Sequence, residues 1–284
     1  MKYGLEKTYK GGQNILVSVI SVIILCILLF PLFWMLSTSL KTEREIFQIP
    51  PTLWPTELNT KSYSAQIELG DFNMFRSFGN SFVISLSAMV ISVLLAVPAA
   101  HGIAKYNFKG RKTTLMSFLI TQMLPVSVLL TPMFIMFKNM NIYNTQFAAI
   151  LANATYGIPF SVLILQNYFA AIPKEMEEAA YIDGCNRFTG FTKILIPISK
   201  QGVVVCAIFS FLYAWGDLAY GMTLILDQKT RPITAGIFNF MGQYGTKWSY
   251  LCAFGIVTII PVILIFICMQ KYIVSGMTSG AVKG

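Results

Sequence analysis

Charge is what this chain has least of. Of its 284 residues 12% are charged and 55% hydrophobic, where a soluble domain of this size carries about 25% charge and about 45–50% apolar residues. The charges are also unevenly placed: residues 11–40, 77–104, 113–137, 139–173 and 248–270 contain none, and 201–226 contains one. A helix needs about 20 apolar residues to cross a hydrocarbon core. Each run is long enough, which excludes a soluble single domain. Alternating polarity is missing as well, since stretches such as VISVIILCILLF are continuously apolar; an outer-membrane barrel, built from short alternating segments, is excluded. Cysteine is scarce and scattered (Cys26, Cys185, Cys206, Cys252, Cys268), odd in number and without a CxxC pair, so neither a disulfide framework nor a metal site is indicated. There is no Gly-Lys dipeptide and hence no phosphate-cradling Walker loop. With no HExxH, no GxSxG and no carboxylate pair inside the apolar runs, no catalytic residue is expected.

What is present reads as an all-α, polytopic membrane protein. The expected spans are 15–36, 82–104, 114–137, 147–169, 202–225 and 250–269 within a single transmembrane domain covering 1–284. The first follows a basic start but is too long for a signal peptide, and Pro31, Phe33, Trp34 and Met35 stand where small cleavage-site residues belong. Placing both termini inside puts 13 basic residues in the inner segments and 8 in the outer ones. Lys105, Lys109, Arg111 and Lys112 crowd the short loop after the second span, whereas Lys138 stands alone after the third. Because basic loops are retained on the cytoplasmic side, N-in and C-in is favoured. The net charge of +9 is thereby explained by the membrane, and its dispersal over four segments gives no nucleic-acid stripe.

Residues 37–81 and 226–249 are too long for simple turns; they either pack as a cap or receive an external partner. Inside the spans two ionisable groups stand out. His101 is placed to face the headgroups at the basic end of the second span. Asp217, in YAWGDLAYG, is costly in a bilayer; it reads either as a hydrogen-bonded group at the outer end of the fifth span or as a lining of the translocation path. Trp215 and Tyr220 lie near it with aromatic faces for a ligand, with Asn153, Tyr156 and Gln166 as further polar candidates.

The most informative segment is 170–201, AAIPKEMEEAAYIDGCNRFTGFTKILIPISKQ. Pro173 suits a first helical turn, Glu175, Glu177 and Glu178 complement a positive helix end, and Gly184 supplies a left-handed stop. A helix over 174–183 is expected, then a glycine elbow and a second helix from near Asn186 to before Pro197. Met176, Ala179 and Ala180, at i, i+3 and i+4, are expected on one face. Taken alone, this is an amphipathic connector between two spans.

EAAYIDG, nine residues and then ILIP resembles the EAA signature of ABC importer permeases: Glu178, Ala179, Ala180, Gly184, Ile194 and Pro197 match its spacing, with Ile196 in place of Leu. FGNSFVISLS, AAHGIAKYNFKGRK, MLPVSVLLTPMFIMFKNMNIYNT and the terminal GMTSGAVKG extend the likeness along nearly the whole chain, most closely to the MalG-type carbohydrate permeases. Gly216 departs from the family's usual Trp-Asn-Glu, which puts a side-chain contact there in doubt.

The resemblance implies a type I importer permease fold in a bacterial cytoplasmic membrane, surrounded by lipid, with half of a sugar path formed by this chain. It implies coupling through the loop 173–200 to two ATP-binding subunits, which hold ATP and Mg while this chain holds no cofactor. It also implies a second homologous permease, a sugar-binding protein docked on the outer loops near Arg231 and Gly236, and ATPase contacts from Gly280 and Lys283 in the tail. The competing reading is an ion-coupled secondary transporter, for which the spans offer few ionisable groups.

Overall fold

The computed structural model describes the backbone of residues 2–69, 72–242 and 245–281, and the side chains of 15–67, 72–242 and 245–270. In chain order the helices are α1 (Lys2–Ser39), α2 (Glu43–Ile46), α3 (Lys61–Ser64), α4 (Met74–Lys105), α5 (Arg111–Met123), α6 (Val126–Asn139), α7 (Gln146–Ala170), α8 (Lys174–Ile182), α9 (Arg187–Gly190), α10 (Ile196–Ile198), α11 (Lys200–Gly216), α12 (Ala219–Leu224) and α13 (Trp248–Ala281). A π turn (Phe191–Leu195) joins α9 to α10, and a 3-10 helix (Ile233–Phe240) follows α12. Two antiparallel two-residue ladders, Glu68–Leu69 with Phe72–Asn73 and Met241–Gly242 with Gly245–Thr246, complete the described residues.

α1, α4, α7 and α13 each contain an apolar stretch long enough to cross a membrane. The expected third span is instead broken. α5 and α6 meet at 100°, because Pro125 disfavours helical geometry at Leu124 (ψ 123°) and cannot donate its own backbone N–H. The fifth is broken as well: α11 stops at Gly216, Asp217 turns extended (ψ 125°), and α12 restarts two residues later. In α1 the side chains of Ile15 to Phe30 are all exposed, as expected of a helix solvated by lipid or a neighbouring subunit.

The chain forms two compact units, Met1–Gln66 with Asn239–Val257 and Ile67–Phe238 with Thr258–Gly284. In the first, polar groups knit the segment after α1 together. Lys41 and Glu45 are 2% and 6% exposed. The Lys41 ammonium donates to the Thr52 carbonyl and stands 5.0 Å over the Trp34 ring. Glu45 accepts from the Thr52 hydroxyl at 2.8 Å and the Thr56 N–H at 2.9 Å. Burial acts to raise the Glu45 pKa, but these hydrogen bonds and nearby Lys41 together hold it below the ordinary value of 4.5. Glu43 accepts from both the backbone N–H and the hydroxyl of Ser249, at 2.9 and 2.7 Å.

The second unit is built on α4, α7 and α11. α4 presents Ser77, Ser81, Ser85, Ala88, Ser92, Ala96 and Ala100 as a buried lane, three or four residues apart and hence on one helix face. Small residues let helix backbones approach closely where no water drives association. At the tightest point a Cβ on Gly157 of α7 would collide with the Ser92 side chain and sit 3.3 Å from the Ser210 hydroxyl. Ala96, Val97, Ala100, Val162, Leu165, Phe169, Leu195 and Cys206 form the core near the elbow. All five cysteines are free.

Candidate functional site: the 173–198 elbow

Pro173 (φ −57°, ψ 145°) opens α8, with Glu175 and Glu177 in its first turn. The helix ends as expected at glycine. Gly184 has φ +84°, its N–H bonds the Tyr181 carbonyl at 3.1 Å, and the Cys185 N–H reaches back to the Ala180 carbonyl at 3.0 Å. Those two bonds are the paired closure of a Schellman stop, which a glycine in the left-handed region accommodates without strain. Asn186 then caps α9, its side chain accepting from the Thr189 N–H at 2.8 Å.

The second arm does not end before Pro197. It runs on to Ile198 and bends by 75° into α11. Proline has no N–H and its ring crowds the carbonyl four residues back. Here the preceding turn is widened: the Ile196 N–H bonds the Phe191 carbonyl, five residues back. This widened turn carries the chain past the proline.

The expected shared face of Met176, Ala179 and Ala180 is split. Ala180 is buried against Gly190, where an added Cβ would lie 4.0 Å from the alanine methyl. Glu178 and Ala179 point outward and are exposed, as is Pro197. Ile194 is half-buried and Leu195 fully so. An exposed apolar tip is formed by residues that spacing alone had not joined: Met176, Tyr181, Ile182 and Phe188, with Ile182 86% and Phe188 74% exposed. Ile182 and Phe188 lie on either side of the glycine stop, one on each arm of the elbow.

The elbow is held from the side by the last turn of α4. Lys105 pairs with Glu177 at 2.6 Å, their side chains 8% and 18% exposed, and the same ammonium donates to the Ile172 carbonyl at 2.8 Å. His101 packs beside this contact. Its half-buried ring lies 4.6 Å from Phe191 and 5.6 Å from Phe169. A water-sized void of about 10 Å³ sits among His101, Glu177, Arg187 and Phe191.

The residues considered for a path separate into two groups. Asp217 caps α12, its carboxylate oxygens accepting from the Tyr220 and Gly221 N–H groups at 3.1 Å each. This is the hydrogen-bonded alternative at the end of the broken fifth span. Trp215 is buried, its indole N–H donating to the Thr258 carbonyl at 3.2 Å, and Tyr220 is buried too; neither offers a free face for a sugar. Asn153 is buried and donates to Ala149 within its own helix. Gln166 bonds its neighbour Asn167. Tyr156 differs: it lines a groove of about 310 Å³ with Gly157, Phe160, Phe209, Ser210, Leu212 and Tyr213. Tyr156 and Tyr213 stack with centroids 3.8 Å apart and planes 8° off parallel. Phe160 stands four residues after Tyr156 on α7, and Phe209 four before Tyr213 on α11; spacing sets each pair on one helix face, but only the packing of α7 against α11 brings the two faces together.

Of the outer-loop residues, Arg231 is half-buried and ties its own loop, Nε donating to the Ile225 carbonyl at 2.8 Å. Gly236 is buried within the 3-10 helix and presents no surface for docking. In the tail, Gly280 falls within the α13 backbone and Lys283 lies outside the described residues.

Residues 88–279 match the family described as binding-protein-dependent transport system inner membrane component. Among curated relatives, the chain is 34% identical to the probable ABC transporter permease protein YurM of Bacillus subtilis over 90% of its own length and 84% of that protein. It is 28% identical to the diacetylchitobiose uptake system permease protein DasC of Streptomyces coelicolor, over 94% and 96% of the two chains. Its fold matches a chain in the crystal structure of a bacterial ABC transporter involved in import of the acidic polysaccharide alginate, at TM-score 0.77 and 20% identity, covering 91% of this chain and 95% of that one. The motifs, the helical architecture and these matches converge: the chain belongs to the binding-protein-dependent transport system inner membrane component family, as a multi-pass ABC transporter permease of the cytoplasmic membrane.

Proposed function

We propose that this permease serves an ATP-driven importer of a sugar or oligosaccharide, pairing with a second homologous permease above two ATP-binding subunits that carry the ATP and Mg. The observation that carries the coupling part is the elbow. The stop at Gly184 separates two exposed apolar side chains, Ile182 and Phe188, on a segment tied to the end of a long helix. Such side chains stand out in water unless a partner covers them, and a cleft on the ATPase is the partner this geometry suits. ATP-driven movement of the ATPase pair would shift the elbow and so bias the permease between two access states by differential binding.

The carbohydrate assignment draws support from the relatives, since DasC is named for diacetylchitobiose uptake. The Tyr156–Tyr213 groove supplies aromatic faces on the permease side, and the docked binding protein would meet the outer loops, above all 226–249. Six crossings, counting each bent pair as one, with both termini inside, accommodate this arrangement and the basic loops. The test is co-expression of the four-subunit complex with its binding protein, followed by uptake of labelled oligosaccharides into proteoliposomes. Uptake should require ATP and the binding protein; uptake driven by a proton or sodium gradient without ATP would instead establish the secondary-transporter reading.

A further inference from the structure

Resting on that coupling role, we infer that His101 and Lys105 form a clamp through which α4 receives the movement of the elbow. The two residues stand four apart on the last turn of α4 and therefore on one face. Each holds a different arm. Lys105 holds the first arm by its ion pair to Glu177 and also the connection leading into that arm, at the Ile172 carbonyl. His101 holds the second arm through Phe191, the residue at which the widened turn begins. The exposed tip has no such fastening of its own. A push on Ile182 or Phe188 can therefore reach α4 through this turn, in parallel with the buried core that Leu195 shares with Ala96 and Ala100.

The chemistry at the two contacts is unequal. A largely buried ion pair that loses one partner leaves an uncompensated charge, so the Lys105 contact resists separation. The His101 contact is a tilted ring-on-ring packing, which permits sliding within van der Waals range. The clamp thus ties the first arm to α4 by charge, while the second arm meets α4 through ring packing and through Leu195 in the shared core. Lys105, Glu177 and His101 act as positioning residues, without contact to substrate or nucleotide.

The experiment uses the assembled complex with its binding protein and measures transport per ATP hydrolysed. Lys105→Met and Glu177→Gln should each lower that ratio by about tenfold, the size of a typical coupling free energy, while the ATPase subunits still copurify. The double variant should be no worse than the poorer single one, since both break one contact. Lys105→Arg, which keeps the charge and reach, should restore the ratio. Wild-type ratios in both single variants would overturn the clamp, as would strictly multiplicative losses in the double. If Lys105→Met fails to insert, Glu177→Gln, which keeps size and removes only the charge, decides the same question. A wild-type complex without ATP-dependent transport would defeat the functional reading instead, and that control is read separately.

Discussion

The segment 41–66 and the elbow 173–198 spend their charges in opposite ways. In the first, Lys41, Glu45 and Glu43 face inward, and their polar atoms meet Thr52, Thr56 and Ser249. In the elbow, Glu175, Glu178 and Asp183 stand in water and only Glu177 is drawn in, while Ile182 and Phe188 face outward. A buried, fully bonded charge is costly to move, because its partners must be replaced before it can shift. An exposed apolar tip costs little to move and gains when covered. One segment is built to hold its shape, the other to be gripped.

Glu45→Ala should give the largest effect on stability. It strips acceptors from the Thr52 hydroxyl and the Thr56 N–H and leaves Lys41 buried beside no carboxylate, at a cost of about 3 kcal/mol. The thermal midpoint of the detergent-solubilised protein would report it. Acidification should reproduce part of that loss. The folded Glu45 pKa lies below the unfolded value of 4.5, so its stabilisation is complete above 4.5 and is lost as pH falls through the lower folded value. A melting curve taken against pH should therefore fall on the acid side in wild type, and fall less in Glu45→Gln.

In the elbow the effects on stability should be smaller and those on assembly larger. Gly184→Ala forces a Cβ into the left-handed region at about 1 kcal/mol, with no clash, since no other atom lies within 4 Å of the added carbon. The joint change Ile182→Ser and Phe188→Ser should shift the melting point least, within about 0.5 kcal/mol, as surface substitutions do. The same double variant should lose copurification of the ATPase. Normal copurification would show that the tip is not the gripped surface and would remove the contrast between the two segments.

Much of this arrangement was legible in the residues. Charge-free runs located α1, α4, α7 and α13, and Pro173 with Gly184 bounded the first arm of the elbow to within a residue. The breaks were harder to see. Pro125 interrupts a run no less apolar than that around Pro159, which stays inside α7; whether a proline kinks or breaks a helix depends on what packs around it. The widened turn before Pro197 is likewise set by the geometry the chain must follow into α11. Spacing placed Ala179 beside Ala180, but it could not say which of them would meet Gly190, a residue from the other arm. The aromatic candidates failed for a related reason: Trp215 and Tyr220 look like Tyr156 in sequence, and only the packing of α4, α7 and α11 decides which ring stays open.

The lane of serines and alanines along α4 carries one more consequence. Large side chains on facing helices interlock like gear teeth and fix how far one helix stands along the other. A seam of small residues has fewer such teeth, and here it is keyed at one close point, Ser92 against Gly157. Its register also rests on groups toward the two ends of α4: Asn80, whose amide donates to the Lys229 and Arg231 carbonyls at 2.9 and 3.0 Å, Phe78 and Phe82 against Trp215 and Phe211, and Lys105 at the elbow. α4 is thus a closely seated rod with a fastening toward each end, and the elbow holds one of them.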